Sequence, residues 1–339
     1  MIGALEGVKV LDLSRILAGP YCTQMLSDLG ASVTKVEAPW GDDTRGWGPP
    51  FLEDGTAAYH LSCNRGKKII FHNLKEDKEK IQQLIGQSDV VVENFRPGQL
   101  ERLIGPIRSD VILCSITGFG QSGPRSQDPG YDLALQAMSG IMSINGEENG
   151  GPVKVPVAWI DVITGLYAGN AILSALFHKE KTGKSTHLDI SLWDCAIASL
   201  VNQAQNQLIS GKDPKLLGSG HPNLVPYQAF KAGDGYVVIA VGSDTQFEKL
   251  CLSFEIENNW KTNQERVNSR KELVELIESI TSGFSRNEIC EMLEGIPTSP
   301  INKISEALND VQSLARGVVT DWNGKPVLAS PLRFISERE

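Results

Sequence analysis

Four stretches of this chain carry residue types that could do chemistry. Asp161 follows Pro156-Val157-Ala158-Trp159-Ile160 and precedes a long apolar run. An aspartate at such a boundary commonly caps a helix, a contribution of about 1 kcal/mol. The helix N-terminus also favours its ionised form, and an ionised carboxylate fixed there could attack a carbonyl. Residues 60–75 hold Arg65, Lys67, Lys68 and Lys75 and no acid. With Asn64 and Gly66, the first three cations make a basic turn. Such a turn either grips phosphates through charge-assisted hydrogen bonds or is simply solvated. Val90–Gly98 reads as a buried strand ending in Asn94-Phe95-Arg96-Pro97-Gly98. A ring and a guanidinium at a strand's carboxyl end suit an aromatic base and a phosphate; the alternative is a strand cap with Phe95 in the core.

The fourth stretch, Gly118-Phe119-Gly120-Gln121-Ser122-Gly123, has the spacing of a dinucleotide-binding fingerprint. That fingerprint needs the glycines to open a helix, and Pro124 with Asp128-Pro129-Gly130 is loop chemistry instead. The stretch reads as a mobile loop near a site. Histidines 60, 72, 178, 187 and 221 show no metal-ligand spacing, so no metal is expected. No G-x-S-x-G elbow occurs.

These residues need a frame. Short β-branched runs at 8–13, 31–37, 68–71, 89–93 and 110–116 alternate with helical patterns at 21–29 and 75–85. Such alternation predicts a parallel sheet covered on both faces, with ligands beyond the carboxyl ends of its strands. A long helix over 162–179, a strand over 186–191 and a helix over 192–209 follow. Residues 211–225, rich in Gly and Pro, read as a linker, and 235–242 as a strand. The expected fold is α/β: a large domain with a doubly wound, mostly parallel sheet, plus a smaller α+β domain. Residues 1–211 form the large domain, 212–300 the small domain with its linker, and 301–339 a C-terminal segment.

The chain has 339 residues, 41% of them hydrophobic, enough to bury a sizeable core. Its net charge is −9, and without a basic tract it is not expected to bind nucleic acid. Cys22, Cys63, Cys114, Cys195, Cys251 and Cys290 are scattered and make no C-x-x-C pair, which argues against a disulfide framework. The start lacks signal-peptide or transit-peptide character. No run approaches the roughly 20 apolar residues of a membrane span. A cytoplasmic protein without a membrane partner is expected.

Taken in order, the blocks Leu5–Ser14, Leu17–Pro20, Asp28–Ala31, Lys35–Glu37, Gly41–Arg45, Asn64–Lys68 and Val92–Gly98 resemble the class III coenzyme A-transferases. Ser115–Gly120, Pro129–Asp132 and Asp161 with Thr164–Tyr167 extend the resemblance over nearly the whole chain. This is the family of formyl-CoA transferase, the carnitine CoA-transferases and α-methylacyl-CoA racemase. The resemblance implies an interlocked-ring homodimer whose large domain is built from both termini. It implies coenzyme A and acyl-CoA as substrates, with no tightly bound cofactor. Asp161 matches the family's nucleophile, and Asn64, Arg65, Lys67, Lys68, Asn94, Phe95, Arg96 and Arg102 fall where coenzyme A is held. Tyr131 and the lid candidate Gly218-Ser219-Gly220-His221 would face the substrate.

The implied reaction moves coenzyme A from an acyl-CoA to a small carboxylic acid through an aspartyl-CoA thioester. Covalent relay conserves the thioester's energy if water is excluded. Pro222–Phe230 is similar to members that handle dicarboxylates such as succinate or glutarate. Racemases of the family use a histidine in a Gly-His-Asp motif, whereas this chain has Gly130-Tyr131-Asp132. The transferase reading is therefore preferred over a racemase, with a non-catalytic coenzyme A-binding relative as the other alternative. Ala38 stands where many members carry a coenzyme A-contacting Arg, and the chain is short between Arg102 and Asp110 and over 253–300.

Overall fold

The computed structural model describes residues 3–334. The chain divides into two compact units, one of residues 1–142, 154–209 and 314–339 and one of 143–153 and 210–313. Against the boundaries expected at 212, 300 and 301, the second unit reaches Ser313 and takes in an earlier stretch, Ser143–Val153.

The first unit runs β1 (Lys9–Asp12), α1 (Ala18–Asp28), β2 (Ser32–Glu37), a 3-10 turn (Asp43–Gly46), α2 (Ala58–Asn64), β3 (Lys68–Phe71), α3 (Lys78–Gly86), β4 (Val90–Glu93), α4 (Gln99–Ile104) and β5 (Ile112–Thr117). It continues with α5 (Asp132–Met138), α6 (Ile141–Ile144), α7 (Trp159–Thr182), β6 (His187–Ser191), α8 (Leu192–Ala198) and α9 (Val201–Ser210). The six strands pair in parallel in the order β3-β2-β1-β4-β5-β6. Alternation along the strands fills both faces. Val10, Val90 and Val92 pack with Cys22, Leu26 and Ile172 on one side. Leu11 and Val91 pack with Ile81, Ile85, Leu100 and Ile104 on the other. Strands buried on both faces need near-continuous β-branched runs, which is why Val90-Val91-Val92 sits in the middle. The chain order reverses between β1 and β4, and the crevice at their carboxyl ends is where such sheets hold ligands.

The helix carrying Asp161 is longer and more apolar than the sequence reading allowed. α7 has 24 residues, and an 18-residue stretch within it reaches a mean hydropathy of 1.5, enough by length and composition to cross a membrane. Ile160, Ala168, Ile172 and Ala175 pack into the core. Gly165 sets the distance to α1: a Cβ there would stand 2.8 Å from the carbonyl oxygen of Ala18. The helix expected over 192–209 is broken into α8 and α9, with Val201 at φ +41°.

The second unit carries β7 (Tyr227–Ala232), β8 (Gly235–Ala240), α10 (Asp244–Ser253), α11 (Asn263–Asn268), α12 (Arg270–Thr281), α13 (Arg286–Met292), β9 (Thr298–Pro300) and α14 (Ile304–Leu308). Its antiparallel sheet, in the order β7-β8-β9, has its own core around Phe230, Val237, Phe247, Leu273 and Ile277. After α15 (Val311–Arg316), the hairpin of β10 (Val319–Trp322) and β11 (Lys325–Leu328) belongs to the first unit. Arg65 Nε donates to the carbonyl of Leu328 at 3.2 Å, tying that segment to the end of α2.

Candidate active site

Loops at the carboxyl ends of β1 to β5 line one cavity of about 610 Å³ in the first unit. The loop after β1, residues 13–17, is a wall held from two sides. Asn94, just past β4, grips the Arg15 backbone: Arg15 N–H donates to Asn94 Oδ1 at 2.9 Å and Asn94 Nδ2 to the Arg15 carbonyl at 2.8 Å. From the other side, Lys35 Nζ donates to the Ser14 carbonyl at 2.8 Å and to Asp42 Oδ2 at 3.1 Å. Ile16 is held at φ +71°, a conformation a β-branched residue adopts only when its surroundings impose it.

A charge network lies beneath this wall. Asp12 Oδ1 accepts from Ser14 N–H at 2.9 Å and Oδ2 from Thr23 Oγ1 at 2.5 Å and Lys67 Nζ at 3.1 Å. Burial alone would raise the Asp12 carboxyl, but Lys67, Lys35 and the two hydroxyls override it and hold it at about 2. Glu37 accepts from Arg45 Nε at 2.6 Å and lies 2.8 Å from His60 Nε2. Burial opposes its ionisation, yet those partners hold it at about 2.

Asp161 lies in the first turn of α7 and lines the cavity. It does not cap the helix, as the sequence suggested: Ala158 holds the cap position and offers no side-chain acceptor. Asp132 supplies it, with Oδ1 accepting from Ile160 N–H at 2.8 Å and Asp161 N–H at 3.4 Å. Nor is Asp161 held fully ionised. Burial, then the charge of Asp132, push its carboxyl up to about 7. The helix dipole loses to desolvation and a like-charged neighbour. Among the described residues, five carboxylates line the cavity: Glu37, Asp42, Asp128, Asp132 and Asp161. The first four are paired with Arg45, Lys35, Arg125 and the α7 amides respectively. Among the described residues, no hydrogen bond or ion pair engages the Asp161 carboxylate. It is the free acid of the set.

A model of CoA-transferase family III matches residues 5–338. The chain belongs to that family. It is 42% identical to a succinate–glutarate CoA-transferase of Agrobacterium fabrum, over 97% of this chain and 91% of the relative. It is 44% identical to the human succinyl-CoA:glutarate CoA-transferase, over 94% of this chain and 76% of that one. A crystal structure of a CAIB/BAIF family protein from Brucella suis superposes with a TM-score of 0.88 at 44% identity, covering 98% of this chain and 92% of that one.

Within this family III chain, the residues singled out by sequence fall into three groups. Asp161, Asn94, Phe95, Arg96 and Tyr131 share the cavity. Asn64, Arg65, Lys67, Lys68 and Arg102 are not among its lining residues. Lys67 is fully buried, and its ammonium donates to Pro20 O at 2.7 Å, Asn64 Oδ1 at 3.0 Å and Asp12 Oδ2 at 3.1 Å. Three donors are thereby spent, so Lys67 is an internal knot and not part of an open cradle. Arg65 pairs with Asp28, Lys68 opens β3, and Arg102 Nε donates to Gly98 O at 3.2 Å. Gly218, Gly220 and His221 belong to the second unit. There Gly218 N–H donates to Gly146 O at 2.9 Å and Arg270 to the His221 carbonyl at 2.8 Å.

The loop at 118–123, expected to be mobile, is tied down at two of its backbone amides. Gly120 N–H donates to Thr117 Oγ1 and Gln121 N–H to the Asp189 carboxylate. Gly118 and Gly130 cross so closely that a Cβ on either would lie within 3 Å of the other's Cα. Sequence reasoning missed His72, Asn73 and Leu74, which line the cavity just past β3. The strand-end rule was the signal that could have found them. Among the described residues, no group of three His, Cys, Asp or Glu could hold a metal.

Proposed function

We infer that the chain is an acyl-CoA:carboxylate CoA-transferase that acts on small dicarboxylic acids through a covalent intermediate on Asp161. The observation that carries the site assignment is the unpaired Asp161 carboxylate among four engaged ones in the strand-end cavity. Relatives named for succinate, glutarate, mesaconate and oxalate carry the substrate class.

The Asp161 carboxylate attacks the thioester carbonyl; the C–S bond breaks and coenzyme A leaves as its thiolate. The thiolate attacks the Asp161 carbonyl of the mixed anhydride. A C–O bond breaks, releasing the donor acid and leaving aspartyl-CoA. The acceptor carboxylate attacks that thioester, and the thiolate returns to the acceptor's acyl carbonyl. This frees Asp161 and the new acyl-CoA. Each attack retains the bond energy of the last, so no ATP is needed. Ala38 lines the cavity without charge, and the cations there are Arg15, Lys75 and Arg96, beside His72. These four, with the Phe95 ring, are the groups assigned to the phosphates and base of coenzyme A.

Incubation with succinyl-CoA, trapping with hydroxylamine or borohydride and peptide mass analysis test this reading. A label on Asp161 is expected, and Asp161→Ala should lose turnover. A label on another residue, or full activity of the Ala variant, would sink the mechanism. Exchange of the substrate's α-proton in deuterated water without an acceptor acid would instead indicate a racemase.

A further inference from the structure

The first turn of any helix leaves backbone N–H groups without intrahelical partners. In α7 they are satisfied from another element. Asp132, the first residue of α5, reaches the amides of Ile160 and Asp161 with Oδ1, while its Oδ2 accepts from Gln136 Nε2 at 2.6 Å. Gln136 is fully buried, and its Oε1 accepts from Val155 N–H at 2.8 Å, fixing the chain that leads into α7. The crossing of Gly118 and Gly130 fixes the approach to Asp132 from the other side. One carboxylate thus holds the backbone of a second, free carboxylate.

We propose that Asp132 is the positioning residue of the nucleophile: it caps α7 at Asp161 and sets a like charge against the Asp161 carboxylate that acylation removes. The proposal rests on Asp161 being the nucleophile. Its consequence is energetic as well as geometric. Repulsion raises the ionised, attacking state, and that repulsion vanishes once Asp161 becomes an anhydride or thioester. A carboxylate made more basic is also a stronger nucleophile. The other titratable groups around this end of α7 do not replace Asp132. Tyr59 of α2 is pushed up to about 12, by burial and then by the charge of Asp161, so it stays a neutral phenol. Tyr21 of α1 lies against Gly165, Cys195 of α8 has its thiol raised by burial, and Arg15 reaches the cavity from the loop after β1.

Asp132→Asn and Asp132→Ala separate the two roles. Asn keeps an acceptor for the α7 amides and removes the charge. Its kcat/KM profile for succinyl-CoA should therefore show an acid limb displaced to lower pH by about one unit. Its kcat above pH 8 should fall on the order of tenfold. Ala removes the acceptor as well and should lower kcat by on the order of a hundredfold. An acid limb unmoved in Asp132→Asn overturns the proposal, as does an equal kcat loss in the two variants. Should the Ala variant not fold, the Asn profile decides alone. Trapping on the wild-type enzyme distinguishes the failures. A label away from Asp161 overturns the functional reading, whereas a label on Asp161 with an unmoved Asn profile overturns this inference only.

Discussion

Asp161 is held in a state that works against the fold. Its carboxyl is raised from 3.8 to about 7, by burial first and Asp132 second. Between about pH 4 and 7 the unfolded chain releases this proton while the folded chain keeps it. Stability therefore falls as pH rises through that window and stays reduced above it. Asp161→Asn should thus abolish transfer and yet raise the melting temperature at pH 8 by a few degrees, with a much smaller gain at pH 4.5. Calorimetry of both proteins at the two pH values checks this, and an equal gain at both would contradict the shift. The place of Asp161 at a helix start was legible in its neighbours, and the role proposed for it comes from the resemblance. Its environment was not. Asp132 stands 29 positions earlier, next to Asp161 only because Gly118 and Gly130 let two backbones cross.

Elements separate what a sequence can announce from what packing adds. The strands at 32–37, 68–71 and 90–93 are β-branched runs between helices and were readable within a residue or so. α2 is seven residues long with no apolar stripe, and nothing local announces it. The β10–β11 hairpin did have a signal in Asn323-Gly324, whose φ values of +51° and +76° suit a tight turn. The basic turn shows the limit best, because residue type cannot say whether a lysine faces solvent or a buried aspartate. Lys67→Met should therefore cost about 3–5 kcal/mol in urea unfolding, since it strands the charge of Asp12 in the core. Unchanged stability with a raised KM for acyl-CoA would return Lys67 to the phosphate-binding role first read from sequence.

At the scale of the whole molecule, the chain's charge of −9 was a poor guide to its ligand. What matters is that Arg15, Lys75 and Arg96 converge on one cavity. Surface hydrophobicity is more telling. α7 carries large apolar side chains outside its buried stripe as well as within it. One side meets the sheet and α1, but Leu166, Tyr167 and Phe177 stay 46%, 49% and 65% exposed. On α9, Val201 and Leu208 are 71% and 72% exposed. Isolated exposed leucines need no explanation, whereas several large apolar side chains exposed on one helix mark an interaction surface. A second copy of the chain, in the interlocked homodimer of the family resemblance, is the occupant we propose. Sedimentation velocity should give twice the chain mass at micromolar concentration. Chains linked as rings cannot part without unfolding, so dilution to nanomolar concentration should leave that mass unchanged. Leu166→Glu with Phe177→Glu should lower the yield of soluble dimer, because two charges would be buried without partners. A fully active monomer, or recovery of the wild type in a membrane fraction, would assign the exposed face of α7 to something other than a second copy.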